Sequence, residues 1–271
     1  MNTAKQYFTS GIIMLNEQQK YNIENILKSC LRDKFQHYKP ESKVMPFHTR
    51  LLGNDRMALF SFIQSLNTSF GTAIFEPVAV ALAQINFEVV ERQKVVGAEI
   101  SRDALALIDN IMRELKAAIR HPSRDNEIAA IRKVAQQGKM IRIKPTKADL
   151  YLKVKNGDLY FFDIKSAKPN KGEFEGFKRT LLEWTAVCLG ENPEANIYSK
   201  IAIPYNPYEP EPYARRTMAG MLDLSKELIV AEEFWNFLGC GNVYNDLLDC
   251  FKRVGIELKQ ETDDYFARFN R

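Results

Sequence analysis

Two acidic residues and a lysine lie close together around a predicted β-hairpin. Asp163 and Lys165 are two positions apart at the end of an apolar stretch, so in a strand both side chains point to one face. Asp149 lies on the stretch that would form the partner strand. Opposed carboxylates repel each other unless a cation or a proton intervenes, and Mg²⁺ prefers one or two carboxylates completed by water and phosphate. The pattern therefore indicates metal-assisted hydrolysis of a phosphodiester.

The expected metal ligands are Asp149, Asp163 and the main-chain carbonyl of Ile164, with Glu76 as a possible third carboxylate. A bound Mg²⁺ would acidify a water molecule and stabilise charge on the phosphorus. Lys165 would orient that water or neutralise the same charge, and two neighbouring acids favour its charged form. Two alternatives stay open: a surface hairpin with ordinary Asp–Lys pairs, and Glu76 as a helix-end acid beside Pro77.

The register of the hairpin decides whether the two acids meet. Asn156-Gly157 predicts the turn. A two-residue turn would place Asp149 opposite Ile164, whereas a three-residue turn with a left-handed Gly157 places it opposite Asp163. Because a slip of one residue turns every side chain to the other face, the catalytic hypothesis requires the three-residue turn.

Helices and strands around the hairpin are predicted from periodicity and from capping and turn residues. Helices are expected at about 17–38, 56–66, 71–85, 101–120, 125–137, 173–189, 213–238 and 244–254, with a break at Asn67-Thr68-Ser69. Strands are expected at 87–96, 149–155, 159–164 and 198–204. The apolar segment Gly71–Ile85 is typical of a buried helix, and Glu76 is its one acid.

Composition narrows the function classes. The three histidines and four cysteines show no spacing typical of a metal site, so catalysis must rest on carboxylates and lysines. No apolar run approaches the length of about 20 residues that crosses a bilayer, and we expect a protein of the bacterial cytoplasm. Net charge is only +4, but residues 139–171 hold nine basic and three acidic residues. That local excess is expected of a phosphate-contacting face, although a solvated lysine face would look similar.

The residues that follow the hairpin carry a family resemblance. Lys147-Ala148-Asp149 followed by Asp163-Ile164-Lys165 resembles the PD-(D/E)xK nuclease signature, with Ala148 where the signature has proline. Four longer segments look like those of TdeIII-type type II restriction endonucleases. They are Gly71-Thr72 to Glu76, Phe162 to Asn170, Phe177 to Trp184, and Phe234-Trp235-Asn236-Phe237-Leu238-Gly239.

The resemblance implies an α/β (α+β) fold in which helices flank a central mixed β-sheet that carries the catalytic hairpin. It implies one domain over 1–271, with a catalytic core at about 70–204 and helical additions at 1–69 and 205–271. It also implies a homodimer that cuts duplex DNA at a short palindrome, which could contain GGNCC, and a methyltransferase that protects the host.

Basic residues near the hairpin and beyond it are candidates for DNA contacts, most of them to phosphates, although solvated surface charge remains an alternative for each one. They are Lys168, Lys171, Lys178, Arg179, Arg215 and Arg216. Two other functions are compatible with the sequence. A structure-specific repair or junction-resolving nuclease would share the catalytic residues, and a non-catalytic DNA-binding protein would not need them.

Overall fold

The computed structural model describes residues 14–40, 45–214 and 216–269, and within these it leaves the side chains of Lys171, Arg216 and Thr217 undescribed. The helices of the described part are α1 (Glu17–His37), α2 (Pro46–Leu52), α3 (Asn54–Phe70), α4 (Glu76–Ala83), α5 (Arg102–Lys116), α6 (Arg124–Val134), α7 (Phe174–Glu191), α8 (Leu224–Glu227), α9 (Glu232–Gly239), α10 (Tyr244–Glu257) and α11 (Lys259–Ala267). The strands are β1 (Val89–Val96), β2 (Glu99–Ser101), β3 (Met140–Arg142), β4 (Thr146–Lys153), β5 (Leu159–Ile164), β6 (Ile197–Ile203) and β7 (Leu228–Val230).

A five-stranded mixed sheet forms the centre of the fold, in the order β1-β4-β5-β6-β7. Strands β1, β4 and β5 pair antiparallel, whereas β6 and β7 add on in parallel. The parallel step from β5 to β6 needs a crossover, and α7 supplies it. The fold class expected from the sequence, a mixed sheet flanked by helices, is confirmed. Strands β2 and β3 form a separate two-stranded sheet.

Two apolar cores cover the sheet because the side chains of a strand alternate between its faces. On β5, Phe161 joins the core formed with α5, α6 and α7. Its neighbours Tyr160 and Phe162 join the other core, formed with α1, α4, α9 and α10. Strand β5 is thus covered on both faces, so the residue that ends its apolar run, Asp163, is only 8% exposed.

The sequence prediction fails where one helix continues through polar residues. The expected break at Asn67-Thr68-Ser69 does not occur, since α3 runs on through a π-helical turn at Gly71–Phe75 into α4. Pro77 accounts for that turn because a proline inside a helix lacks the N–H of the regular ladder and crowds the preceding turn. The continuous helix Asn54–Ala83 is, by length and composition alone, apolar enough to cross a membrane, contrary to the sequence expectation. In this structure its α4 part packs against α1 and α9.

The prediction of a helix over 213–238 is also wrong, because this segment forms three short helices and a strand. A 3₁₀ turn at Arg216–Gly220, α8, β7 and α9 replace it. Strand β7 has only three residues and adds to the edge of β6, which is a long-range pairing without a local periodic signal.

The segment from Phe234 to Gly239, which forms most of α9, packs into the core and helps to begin the next helix, α10. Phe234 and Trp235 are buried, and the side-chain oxygen of Asn236 accepts from the backbone N–H groups of Val243 and Tyr244, at 2.8 and 3.0 Å. A Cβ atom on Gly239 would lie 2.6 Å from a methyl carbon of Val243, so a larger residue fits there only if Val243 moves.

Candidate active site

The hairpin of β4 and β5 has the three-residue turn that the catalytic hypothesis requires. Strand β4 pairs Leu150 with Phe162 and Lys153 with Leu159, and Val154 N–H donates to the carbonyl of Asp158 at 3.0 Å. Gly157 closes the turn with φ +92°, a conformation that glycine adopts without steric cost. The next pair in this register is Asp149 and Asp163, so the predicted opposition of the two acids is confirmed.

Both oxygens of Asp149 accept hydrogen bonds. Oδ2 accepts from the backbone N–H of Ile164 at 2.8 Å, and Oδ1 accepts from the side-chain amide of Gln93 at 3.0 Å. The bond to Ile164 replaces a ladder bond at the point where β4 and β5 stop pairing. The carboxylate is therefore fixed in orientation at the end of the hairpin.

Asp163 is paired with Lys165 at 2.5 Å between Oδ1 and Nζ. Burial, together with the neighbouring charge of Asp149, raises the pKa of Asp163 to about 7, even though Lys165 acts in the opposite direction. Lys165 also lies over the Phe177 ring, with Nζ 5.2 Å from its centroid. The raised pKa means that burial makes the negative charge of Asp163 unfavourable, and a bound cation would compensate that charge. This property is expected of a metal ligand.

Glu76 lies close to Asp149 but comes from α4, which packs on the other face of the sheet. It is only 2% exposed, and its oxygens accept from Gln93 Nε2 at 3.0 Å and from Arg92 Nε at 3.2 Å. Burial is the main cause of its raised pKa, and the charge of Asp149 adds to it. Since α4 continues α3 without a break, Glu76 is not the helix-end acid of the alternative interpretation.

Gln93 and Arg92 contact the site, and neither was expected from the sequence. The amide of Gln93 joins Glu76 to Asp149. Gln93 lies in β1 with φ +50°, which is uncommon for a residue other than glycine. A glutamine in a strand of mixed polarity gives no signal of such a role, because the contact depends on how β1 pairs with β4.

A cleft of about 1080 Å³ opens in front of these residues. Glu76, Asp149, Ile164, Lys165 and Lys168 line it on the side of the hairpin, and Trp235, Tyr244 and Phe251 line it on the side of α9 and α10. In the described part of the chain no three His, Cys, Asp or Glu side chains converge as a ready-made metal cluster. Two carboxylates, a main-chain carbonyl and an open cleft nevertheless fit an ion that keeps several waters and binds a phosphate.

Comparison with known proteins identifies the family. A family model described as "Type II restriction endonuclease, HinfI" matches residues 15–255, which is most of the chain. The chain belongs to this family of type II restriction endonucleases.

Individual restriction enzymes are similar along most of this endonuclease. Type II restriction enzyme HgiEI of Herpetosiphon aurantiacus is 28% identical over 226 residues, which is 82% of this chain and 81% of that protein. Type II restriction enzyme HgiBI of the same organism is 27% identical over the same shares. Type II restriction enzyme MjaII of Methanocaldococcus jannaschii is 26% identical over 94% of this chain and 74% of its own. The type II restriction endonuclease expected from the sequence is thereby confirmed.

One expected DNA contact of the endonuclease is wrong, because Lys178 is fully buried. Its ammonium group donates to Glu127 at 2.5 Å and to Glu227 at 2.7 and 2.8 Å, and the guanidinium of Arg124 lies 3.8 Å from Glu227. Lys178 shares the face of α7 that carries Leu181 into the core. Its charge is therefore compensated inside the protein and does not reach a phosphate.

The other basic candidates of the endonuclease separate into three groups. Lys168 is exposed and lines the cleft, with Nζ 5.2 Å from the centre of the Tyr208 ring. Arg179 is half-exposed but pairs with Asp109 and Glu183 in a groove between α5 and α7, away from the cleft. Arg215 and the side chains of Lys171 and Arg216 lie outside the described residues.

Proposed function

We propose that this restriction endonuclease hydrolyses duplex DNA at a short palindromic site, with Asp149, Asp163 and Lys165 as its catalytic residues and Mg²⁺ as its cofactor. The observation that carries the proposal is the meeting of these three side chains beside a cleft that Asp149 and Lys165 line, in a register that a one-residue slip would abolish. The family supports cleavage of DNA at specific sites.

The proposed roles follow from the contacts. Asp149, Asp163 and the carbonyl of Ile164 would hold the ion. Glu76, which lines the same cleft, would be a third carboxylate ligand. A bound Mg²⁺ would supply an acidified water and a positive charge beside the scissile phosphate. Lys165 would leave Asp163 to orient the attacking water or to neutralise the developing negative charge, and Lys168 would hold a neighbouring phosphate.

Cleavage of phage DNA tests this function. Purified protein with Mg²⁺ is expected to give discrete fragments, and Asp163→Asn, Asp149→Asn and Lys165→Met are expected to give none. Asp109→Asn, in the groove beside Arg179, is the matched control and should cut normally. Intact linear DNA together with cleaved branched DNA would instead indicate a structure-specific nuclease. Fragments from Asp163→Asn would contradict the assigned site.

We further propose that the endonuclease acts as a homodimer through the exposed apolar face of α2 and α3. Phe47 and Leu51 are 84% and 82% exposed, and Leu59, Phe60 and Ile63 are 43–50% exposed. Patches of this kind mark association surfaces. Residues 57–75 contain no charged side chain, so the α3 part of this face is unsuited to phosphates and can pair with its own copy.

The position of this face also favours a second copy. The helix that carries it continues to Asn67 and Thr68, which line the cleft. A partner bound there would bring a second cleft beside the first, as cutting both strands of a palindrome requires. Ile63→Asp is expected to give monomers by analytical ultracentrifugation, whereas Ile119→Asp, at a more exposed isoleucine outside α2 and α3, should remain dimeric. A dimeric Ile63→Asp protein would refute the assignment of this face.

Several features stay predictions. They are a GGNCC-containing recognition sequence, a partner methyltransferase, the bacterial cytoplasm as location, and a single domain over 1–271 with its catalytic core at about 70–204. Sequencing the fragment ends from the phage digest would give the recognition sequence, and pre-methylated DNA that resists cleavage would support the methyltransferase.

A further inference from the structure

Gln93 occupies an unusual position in the sheet. Strand β1 pairs Arg92 with Leu150 and Lys94 with Ala148, so Gln93 lies opposite Asp149. Its φ of +50° is left-handed, although the residues on either side keep the antiparallel register. Such a conformation in a residue other than glycine persists where the surroundings hold it, and it changes the direction of the side chain relative to the pleat.

The amide of Gln93 contacts two carboxylates that come from different parts of the fold. Nε2 lies 3.0 Å from both oxygens of Glu76 on α4 and 3.0 Å from Oδ1 of Asp149 on β4. An amide nitrogen carries two protons, so it can donate to both acids at once. Without this donor the two negative groups would face each other across the sheet edge, and Glu76 would keep Arg92 as its side-chain donor.

We propose that Gln93 is a positioning residue that ties Glu76 to Asp149, so that the two carboxylates face the cleft as parts of one metal-binding set. This inference rests on the proposed metal-dependent function. Gln93 itself is not a ligand in this arrangement, because its amide nitrogen is a donor and the carboxylate oxygens retain further lone pairs. Residues that orient ligands in this way typically change metal affinity about 10–100-fold when they are replaced.

Metal binding without DNA gives a readout that does not depend on activity. Mn²⁺, which suits the same carboxylate, carbonyl and water ligands, is titrated into the protein, and the free ion is followed by electron paramagnetic resonance. Gln93→Gly removes the amide but suits the left-handed backbone. We expect its Mn²⁺ dissociation constant, and the Mg²⁺ midpoint for DNA cleavage, to rise about 10–100-fold. The cleavage rate at saturating Mg²⁺ should change much less.

A double-mutant cycle separates positioning from a general structural role. Glu76→Gln should weaken Mn²⁺ binding by a similar factor, and the double variant should lose much less than the product of the two single losses, because both changes remove the contribution of an oriented Glu76. Gln93→Asn tolerates the same backbone but has a shorter side chain, and it should lie between wild type and Gln93→Gly. Ala118→Gly, another left-handed position at the end of α5, is the control and should bind Mn²⁺ normally.

The outcomes distinguish this inference from the proposed function. Wild-type cleavage with unchanged Mn²⁺ binding in Gln93→Gly, or multiplicative losses in the double variant, would overturn the role of Gln93 alone. A wild-type protein that neither binds Mn²⁺ nor cuts DNA with Mg²⁺ would overturn the metal-dependent function, and this inference with it.

Discussion

Replacing Asp163 by asparagine should stabilise the metal-free protein while abolishing cleavage. The pKa of Asp163 is raised from 3.8 to about 7, mainly because the side chain is buried. Because the folded protein holds the proton of Asp163 more tightly than the unfolded chain does, the protonated side chain stabilises the fold. This stabilisation is fully present below pH 3.8 and is lost as the pH rises through about 7. Asparagine keeps the shape of the side chain without the charge, so it should escape this loss.

The magnitude follows from the shift. About three pKa units at 1.36 kcal/mol each correspond to at most about 4 kcal/mol at pH 8, where the folded protein must carry the charge. At pH 5 the folded wild type is largely protonated at Asp163, so the advantage of Asp163→Asn should fall to about 2 kcal/mol or less. Adding Mg²⁺ should stabilise the wild type and leave the variant unchanged, because the variant lacks a ligand.

Urea unfolding in the presence of a chelator, followed by the fluorescence of the buried Trp184 and Trp235, measures both free energies. Asp109→Asn, at an exposed ion pair, is the control and should change the free energy of unfolding by less than about 1 kcal/mol at either pH. An Asp163→Asn protein that is less stable than wild type at pH 8, or whose advantage does not change with pH, would refute the reasoning.

Three further substitutions test the packing that supports the site, each by urea unfolding. Gly239→Ala should cost about 1–3 kcal/mol, because its Cβ would overlap Val243; an unchanged midpoint would show that Val243 can move. Gly157→Ala should cost about 1 kcal/mol and reduce cleavage, because the left-handed turn sets the register; full stability together with full activity would argue against that turn. Lys178→Met should cost about 3–5 kcal/mol, because it removes the cation that Glu127 and Glu227 share and leaves Glu227 with Arg124 as its ion-pair partner, 3.8 Å away. Weaker DNA binding of Lys178→Met at unchanged stability would instead restore its expected role as a DNA contact.

The chemistry of the hairpin could be predicted from the sequence because it is local. Asp149, Asp163 and Lys165 are connected by one short turn, and the requirement that both acids meet selects the left-handed Gly157. A stretch of bulky apolar residues also marked β5, and the family segments indicated a type II restriction endonuclease. These conclusions need only neighbouring residues and the period of a strand.

Tertiary structure alone decided which distant side chains reach the same place. Glu76 enters the site because the helix passes Pro77 with a π-helical turn and α4 packs on the sheet, and Gln93 enters because β1 pairs with β4. Lys178 looked like a phosphate contact, yet buried Glu127 and Glu227 on other elements neutralise it. The sequence determined the charges and their local spacing, whereas burial and long-range pairing, which depend on every element at once, decided how each charge is used.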